Sequence, residues 1–373
     1  MKSENYFRPE KAAPMHSPGN NERVLVTGGS GFIGTNLVEF YRTVPGFEVL
    51  SVDIKAPRDS SHTSHFRCAD ITKRDDIARV VRDFEPTVVY HLAARTDLHG
   101  ATVDEYPANT IGTKNVVGAV LGLATKPRRT VFASSRLVCK IGYMPRDEFD
   151  YCATTPYGAS KVRSEQIVRS VAGEKFDWVM VRPTSIWGPW FEVPYRTFFD
   201  AIERGRYVHP KGRAIGKSFG FVGNTVYQLD RLAYGNSESV SRRTLYLCDN
   251  DPLDVLTWAV MIARSFNRRE PYQVPYCALR ALAIVGDAVE AVTRRDAPLT
   301  SFRLDNLLTE MVHDTSALRT VVGQLPFTVE EGVAITTRWI KAERMDKRSY
   351  IGDLQAGRDI VNFGIQRREE PRP

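Results

Sequence analysis

The stretch VLVTGGSGFIG at residues 24–34 places a β-branched run directly before a glycine-rich turn and the start of an apolar, helix-like segment. A strand ending at Thr27 and a helix beginning beyond Gly31 leave Gly28, Gly31 and Gly34 around the junction. A tight turn needs glycine torsions, close backbone approach to a pyrophosphate needs a missing side chain, and close helix–strand contact needs the third glycine. The helix N-terminus then offers N–H groups and a positive dipole end to phosphates.

The surrounding sequence gives the turn its context. Further strand-like runs are FEVLSVD (47–53), TVVYHLA (87–93), RTVFASS (129–135) and WVMVRP (178–183). Between them lie helix-like segments: FIGTNLVEFYRT, KRDDIARVVRDF, NTIGTKNVVGAVLGL and ASKVRSEQIVRSV. Apolar strands alternating with amphipathic helices predict an α/β fold, a doubly wound parallel sheet covered on both faces. The second strand ends in Asp53, about 20 residues beyond the glycines, where a carboxylate can accept hydrogen bonds from both adenosine ribose hydroxyls. A carboxylate there repels a 2′-phosphate, so the pattern favours NAD over NADP, with Lys55 and Arg58 following closely.

The second decisive stretch is YGASK at 157–161. Tyr157 and Lys161 stand at i and i+4, on one face of a helix beginning near Pro156. A phenol of pKa near about 10 is a poor proton shuttle at neutral pH. A cation one turn away, with a positive nicotinamide ring nearby, is expected to lower that value. The lysine ammonium can also hold the nicotinamide ribose. Ser134–Ser135 closes the preceding strand at its carboxyl end, where such sheets bind ligands, and can hold a substrate oxygen.

With these residues in place, the chain resembles the extended short-chain dehydrogenase/reductase superfamily, in the NAD-dependent epimerase/dehydratase group that includes UDP-glucose 4-epimerase. The matching elements are TGGSGFIG (27–34), Asp53, ADI (69–71), HLAA (91–94), N-x-x-G-T at 109–113, the serine pair, YGASK and VRPTSIWGP (181–189). The resemblance implies that Asp70 and Ile71 border the adenine and that Phe32, Ile33, Leu92, Ala93, Ala94 and Pro183 line the cofactor. It further implies that Asn109 supports the active-site backbone. The catalytic set is Ser135, Tyr157 and Lys161, the last two also touching cofactor. Ser135 is preferred to Ser134 because it stands three residues before Val138, as the family's catalytic serine or threonine usually does.

Departures from the family pattern narrow the reaction. The sugar dehydratases and decarboxylases carry acidic residues directly after the catalytic serine or threonine, and here Arg136 and Leu137 stand there. The GDP-fucose synthases place a cysteine there, whereas Cys139 comes three residues too late. The remaining apparatus suits a 4-epimerase acting on a nucleotide-activated sugar through a transient ketone, in polysaccharide or glycoconjugate synthesis. It equally suits a reductase or dehydrogenase of a sugar or a hydrophobic alcohol or ketone. A catalytically silent NAD-sensing regulator is the alternative of another class. Loop 184–196, the 197–222 segment and most of 250–345 are expected to form the lid. Arg136, Ser185, Arg196, Arg213 and Lys217 are candidate substrate contacts, the cations suiting a diphosphate. Trp187 and Trp190 can stack on a base or fill a core.

Composition bounds the rest. The 373 residues are 42% hydrophobic and carry a formal charge of +7, with both signs mixed along the chain, which argues against a nucleic-acid groove. The organisation expected is a flexible tail (1–22), an NAD-binding Rossmann domain (23–186, with returns near 218–248), a smaller C-terminal mixed α/β substrate-binding domain (187–345) and a charged tail (346–373). Five scattered cysteines point to reduced thiols and a cytoplasmic protein. YCALRALAIVGDAVEAV (276–292) reads as an amphipathic helix suited to a partner interface, too interrupted by charge to span a bilayer. A homodimer is expected through segments 104–124 and 157–171, with Val117, Leu121, Val162 and Ile167 outside the sheet-facing stripe. His62 and His65 read as solvated loop residues, no metal site is expected, His91 has no base role, and Arg268–Arg269 and Arg294–Arg295 read as helix caps.

Overall fold

The structure, a computed structural model, describes residues 22–293 and 299–345. Residues 1–21, the charged tail at 346–373 and the Arg294–Arg295 pair lie outside the described residues. Glu22, assigned to the leading tail, is instead the first strand residue: it pairs in register with Phe47 and accepts a 2.5 Å hydrogen bond from the Thr87 hydroxyl.

Strands β1 (Glu22–Thr27), β2 (Phe47–Asp53), β3 (Phe66–Cys68), β4 (Val88–His91), β5 (Arg129–Ala133) and β6 (Trp178–Pro183) enter the main sheet in sequence. Short strands β7 (Ser185–Trp187), β8 (Val208–Pro210), β9 (Gly216–Lys217) and β10 (Phe219–Phe221) follow, before β11 (Thr244–Leu247) returns to the main sheet. Strands β12 (Leu253–Asp254) and β13 (Tyr272–Val274) complete two small pairs, with β9 and β8. The main sheet runs β11-β6-β5-β4-β1-β2-β3, and every pairing in it is parallel. This is the expected Rossmann-like arrangement. The order reverses between β4 and β1, which opens a crevice at the strand carboxyl ends. The sheet has two strands beyond the five continuous apolar runs. β3 is a three-residue, largely exposed edge, and β11 only four residues long, so neither carries a strong period signal.

Helices α1 (Phe32–Arg42), α2 (Arg74–Phe84), α3 (Thr113–Leu121), α4 (Pro156–Ile167), α5 (Tyr195–Glu203) and α6 (Val222–Tyr234) carry most of the covering surface. Along β1 the side chains alternate between two cores. Val24 and Val26 join α1 and α6, whereas Leu25 joins α2 and α3. Val117 is fully buried in the second core and Leu121 packs against it, so these two belong to the sheet side and not to an outer face. The cause is α2, which lies against α3 and covers that flank.

The later chain adds α7 (Ser237–Val240), α8 (Val255–Ser265), α9 (Tyr276–Thr293), α10 (Ser301–Leu308), α11 (Ser316–Val322) and a last helical run over 329–345. An aromatic cluster joins this part to the sheet. Trp258 of α8 lies 4.5 Å from Phe219, 5.0 Å from Phe198 and 5.3 Å from Trp187, centroid to centroid. Trp187 is fully buried there, which makes it a core residue, while Trp190 lies against Trp339 at 5.6 Å. All five cysteines are free. Among the described residues no helix is long and apolar enough to cross a membrane.

His62 departs from expectation. Asp59 accepts from the Ser61 N–H and starts a short 3₁₀ turn, which swings the His62 ring inward, 2.8 Å from Glu39. It is a buried hydrogen-bonding partner of Glu39 rather than a solvated loop residue. Because Trp258 fills the centre of the aromatic cluster, Trp258→Ala should cost about 3–5 kcal/mol in urea unfolding; a loss below about 1 kcal/mol would show that the cluster does not hold the two parts together.

Candidate active site

The glycine turn has little room for side chains. Gly28 adopts φ +78°, and a Cβ there would lie 2.5 Å from the Ala93 nitrogen. A Cβ on Gly34 would come within 2.1 Å of the Gly28 carbonyl oxygen. The α1 N-terminus, with Gly31 at its cap, has no side-chain cap, which leaves its first N–H groups pointing into the crevice end of the sheet. Phe32 and Ile33 form its first turn, partly exposed.

Asp53 closes the same rim. Its two oxygens accept from Ser30 N–H at 3.2 Å and Lys55 N–H at 3.0 Å, one each, and a carboxylate has capacity for further donors. Arg58, which could have served a 2′-phosphate, is already committed. It donates to the carbonyls of Ser30 (2.8 Å) and Trp190 (3.0 Å) and pairs with Glu192 at 3.1 Å. Asp70 accepts from the backbone and hydroxyl of Thr72, and Ile71 is buried beneath Gly112. Leu92 follows β4, its N–H donating to Thr27, with Ala93 and Ala94 partly exposed after it; Pro183 ends β6. This cradle fits a dinucleotide: the close backbone approach, the uncapped helix start and the rim carboxylate stand at one end of the sheet.

Asn109 binds three segments together. Its amide nitrogen donates to Arg95 carbonyl (3.0 Å) and Ser160 Oγ (2.8 Å), while its oxygen accepts from Arg95 N–H. The loop after β4 is thereby tied to α4 between Tyr157 and Lys161. Thr155 caps α4 by accepting from Gly158 N–H, with Pro156 in the first turn. The π turn at Ala108–Gly112 precedes α3 where a continuous helix was predicted, and it carries Asn109 into this position.

Ser135, Tyr157 and Lys161 meet at the end of β5. Ser135 faces the Tyr157 phenol, and Lys161 Nζ donates to the Ala133 carbonyl at 2.9 Å. Burial pushes the Lys161 ammonium down to about 8, partly opposed by Glu165. Tyr157 does not follow the expected downward shift: burial raises the phenol above its ordinary value, offset in part by Ser135. Lys161 donates to the β5 carbonyl, and burial rather than the lysine's charge is the larger influence on the phenol.

Ser134 is turned elsewhere, donating to Glu165 at 2.5 Å. Glu165 is fully buried, bridged twice by Arg182 at 2.9 Å and also bonded by Tyr151. This network is not legible from sequence, because Ser134, Tyr151, Glu165 and Arg182 come from four separate segments. His91 is equally enclosed, its ring between Thr27 (2.8 Å) and Thr113 (3.2 Å), and burial lowers its pKa to about 3.

The candidate substrate contacts divide. Arg136 and Lys217 come together, close enough that Arg136 lowers the Lys217 pKa after burial has done most of the work, to about 8. Arg136 meets Met311 sulfur at 3.2 Å, and Lys217 donates to the Asn306 carbonyl at 2.6 Å. Among the described residues neither has a carboxylate partner. Ser185 is nearby through Tyr195, which donates to its hydroxyl and also faces Arg136. His313, distant in sequence, joins them: its ring stacks on Tyr246 at 4.2 Å, and neither ring nitrogen has a partner. Burial, with Arg136 and Arg182 nearby, lowers its pKa to about 4, so the ring is neutral at pH 7. Arg196 and Arg213 stand outside the cluster. Arg196 is paired with Asp200 and Glu343, and Arg213 lies over the Tyr276 ring, exposed. Among the described residues no group of acidic, histidine or cysteine side chains is arranged to hold a metal ion.

Residues 24–208 match the model of the NAD dependent epimerase/dehydratase family, and the chain belongs to that family. It is 29% identical over 271 residues to a 3-beta-hydroxysteroid dehydrogenase of Mycolicibacterium neoaurum, covering 67% of this chain and 71% of that one. It is 23% identical to an N-acetyl-alpha-D-glucosaminyl-diphospho-ditrans,octacis-undecaprenol 4-epimerase of Escherichia coli O157:H7, over 86% of this chain and 95% of that one. In fold it is similar to the UDP-glucuronic acid 4-epimerase of Bacillus cereus in complex with NAD, with TM-score 0.64, 16% identity and coverage of 86% and 99%.

Breaking the Glu165–Arg182 pair strands a buried guanidinium. Glu165→Ala should therefore destabilise the protein by about 3–5 kcal/mol in urea unfolding, followed by circular dichroism. A loss under about 1 kcal/mol would remove the network from its role in seating α4.

Proposed function

We propose that the protein is an NAD-dependent epimerase of a nucleotide-activated sugar, inverting one carbinol centre, the sugar C4, through a transient ketone. The observation that carries this reading is the pair of cations next to Ser135, Lys217 buried and Arg136 half-buried, with no carboxylate among the described residues to balance them. Uncompensated buried charge is costly unless a ligand of opposite sign completes the site. A sugar activated by a diphosphate supplies that sign. A reductase of an apolar alcohol would want an apolar pocket here, and a silent regulator has no use for the buried Tyr157–Lys161–Ser135 set.

In the proposed mechanism Ser135 holds the substrate hydroxyl against Tyr157, and Tyr157 in its phenolate form takes the hydroxyl proton as hydride leaves the same carbon. NAD, when bound, supplies the reversible hydride acceptor. Lys161, held at Ala133, positions the ribose and keeps a proton within reach of the phenol. After the ketone turns over in the pocket, Tyr157 returns the proton to oxygen as hydride returns to the opposite face. Arg136 and Lys217 hold the diphosphate end still while the sugar ring turns. Asp53 accepts the adenosine ribose hydroxyls, and the engagement of Arg58 supports NAD rather than NADP. A homodimer is proposed through the groove of about 540 Å³ lined by Ile111, Val162 and Ile167.

Two outcomes test the reading. A nucleotide sugar deuterated at C4 should give an epimer that keeps the label, with no net NADH in solution; NADH formed in step with product would replace epimerase by dehydrogenase. Tyr157→Phe should reduce turnover by at least about 100-fold while NAD binding stays intact, because the proton-transferring oxygen alone is lost. Residual activity above a few per cent of wild type would assign the proton to another group.

A further inference from the structure

Helix α9 turns one side to the protein. Leu279, Ala283 and Gly286 are buried, the first two packed with Leu304 of α10. The other side carries Leu282, Val285, Val289 and Val292, which are 57%, 59%, 44% and 83% exposed, with Ala281 and Ala288 exposed between them. At about 100° per residue these six fall in one stripe covering about a third of the circumference. The charged residues Arg280 and Asp287 sit beside the stripe, occupied by Asp305 (3.2 Å) and the Ser301 N–H (3.0 Å). The stripe is exposed along its whole length, with nothing packed on it among the described residues.

The chain enters α9 from a basic groove. Arg204, Arg268 and Arg269 line a groove of about 400 Å³ with Tyr207 and Tyr272, and β13 runs from there to the start of the helix. The two carboxylates of the groove, Glu203 and Glu270, are already held by Arg344 and Arg264. Among the described residues, the three arginines and neighbouring Arg206 have no carboxylate partner, and all four are exposed. Arg213 adds a fifth cation, 4.5 Å over the ring of Tyr276 in the first turn of α9. The predicted capping role of Arg268–Arg269 falls to the backbone alone: Arg268 N–H donates to the Ala263 carbonyl, and both side chains point to the groove.

We propose that this face docks the protein on an anionic lipid surface. In that pose α9 lies in the plane of the headgroups, its stripe of short apolar side chains inserted shallowly and the groove arginines set against lipid phosphates. Apolar insertion beside a cluster of cations is the combination that holds interfacial helices. A second copy of the chain is a poorer occupant. The stripe from Ala278 to Val292 is about 21 Å long and about 10 Å wide, or about 200 Å², against roughly 800 Å² per partner in a stable dimer. Two such faces would also bring unpaired arginines of like charge into one contact. α10, packed on α9, supplies the Asn306 carbonyl to Lys217, so docking brings the cation pocket close to the bilayer surface.

The test uses the full chain loaded with NAD and vesicles of phosphatidylcholine, with or without one part in three of phosphatidylglycerol. Co-sedimentation with the anionic vesicles is expected, weaker with phosphatidylcholine alone and weaker in high salt. Leu282→Asp with Val285→Asp, and separately Arg268→Glu with Arg269→Glu, should each reduce binding by at least about tenfold while NAD binding is unchanged. Wild-type protein that stays in the supernatant, or binding that survives both double variants, would overturn the proposal. So would a dimer in sedimentation velocity that Leu282→Asp with Val285→Asp splits into monomers while vesicle binding is unaffected, since the occupant would then be a second copy.

Discussion

The carboxylate of Glu165 is the constraint on which the site depends. It lies one helical turn beyond Lys161, buried, and takes donors from β5 through Ser134, from β6 through Arg182 and from the 139–155 loop through Tyr151. A buried charge tolerates one geometry because each missing donor leaves an expensive lone pair. α4 is therefore fixed in register against two strand ends. Lys161 then falls on the Ala133 carbonyl and Tyr157 on Ser135. The same contact commits Ser134 to Glu165 and leaves Ser135 on the Tyr157 side.

Around that anchor the electrostatics are unequal. The Glu165–Arg182 pair is internally balanced. A short distance away Arg136, Lys217 and neutral His313 form a cationic pocket with no acid in it among the described residues. The fall in the Lys217 pKa to about 8 comes first from burial and then from Arg136, which is what two cations in one low-dielectric space produce. Such a pocket is stable in the presence of an anion and strained without one. The proposed anionic substrate rests on this pocket rather than on any single motif.

The parts legible in the sequence were those whose chemistry is local. Glycines at 28, 31 and 34, the acid at 53 and the Tyr157–Lys161 spacing each depend on a few neighbouring torsions or one helical turn. The five strands in continuous apolar runs were legible for the same reason. What stayed hidden was assembled from distant segments. Arg136 and His313 stand far apart in sequence and share one pocket only through β9, β10 and the loop after α10. His62 read as a solvated loop residue because nothing in SSHTSH announces that Glu39, on α1, will meet it. Val117 read as outward-facing because periodicity within α3 cannot know that α2 will cover it. The phenol of Tyr157 was expected to be acidified by its lysine, but the burial that raises it depends on the packing of distant segments around α4.

The central claim is that Arg136 and Lys217 form an anion site that selects a diphosphate-activated sugar. Titration calorimetry of the NAD-loaded protein with uridine diphosphate, for wild type and for Arg136→Met with Lys217→Met, tests it most directly. The account predicts binding by the wild type and a loss of at least about 100-fold in the double variant, as expected for two charge-assisted contacts of about 1.5–3 kcal/mol each. Equal affinity in the two proteins, or no binding of uridine or guanosine diphosphate by the wild type, would contradict it.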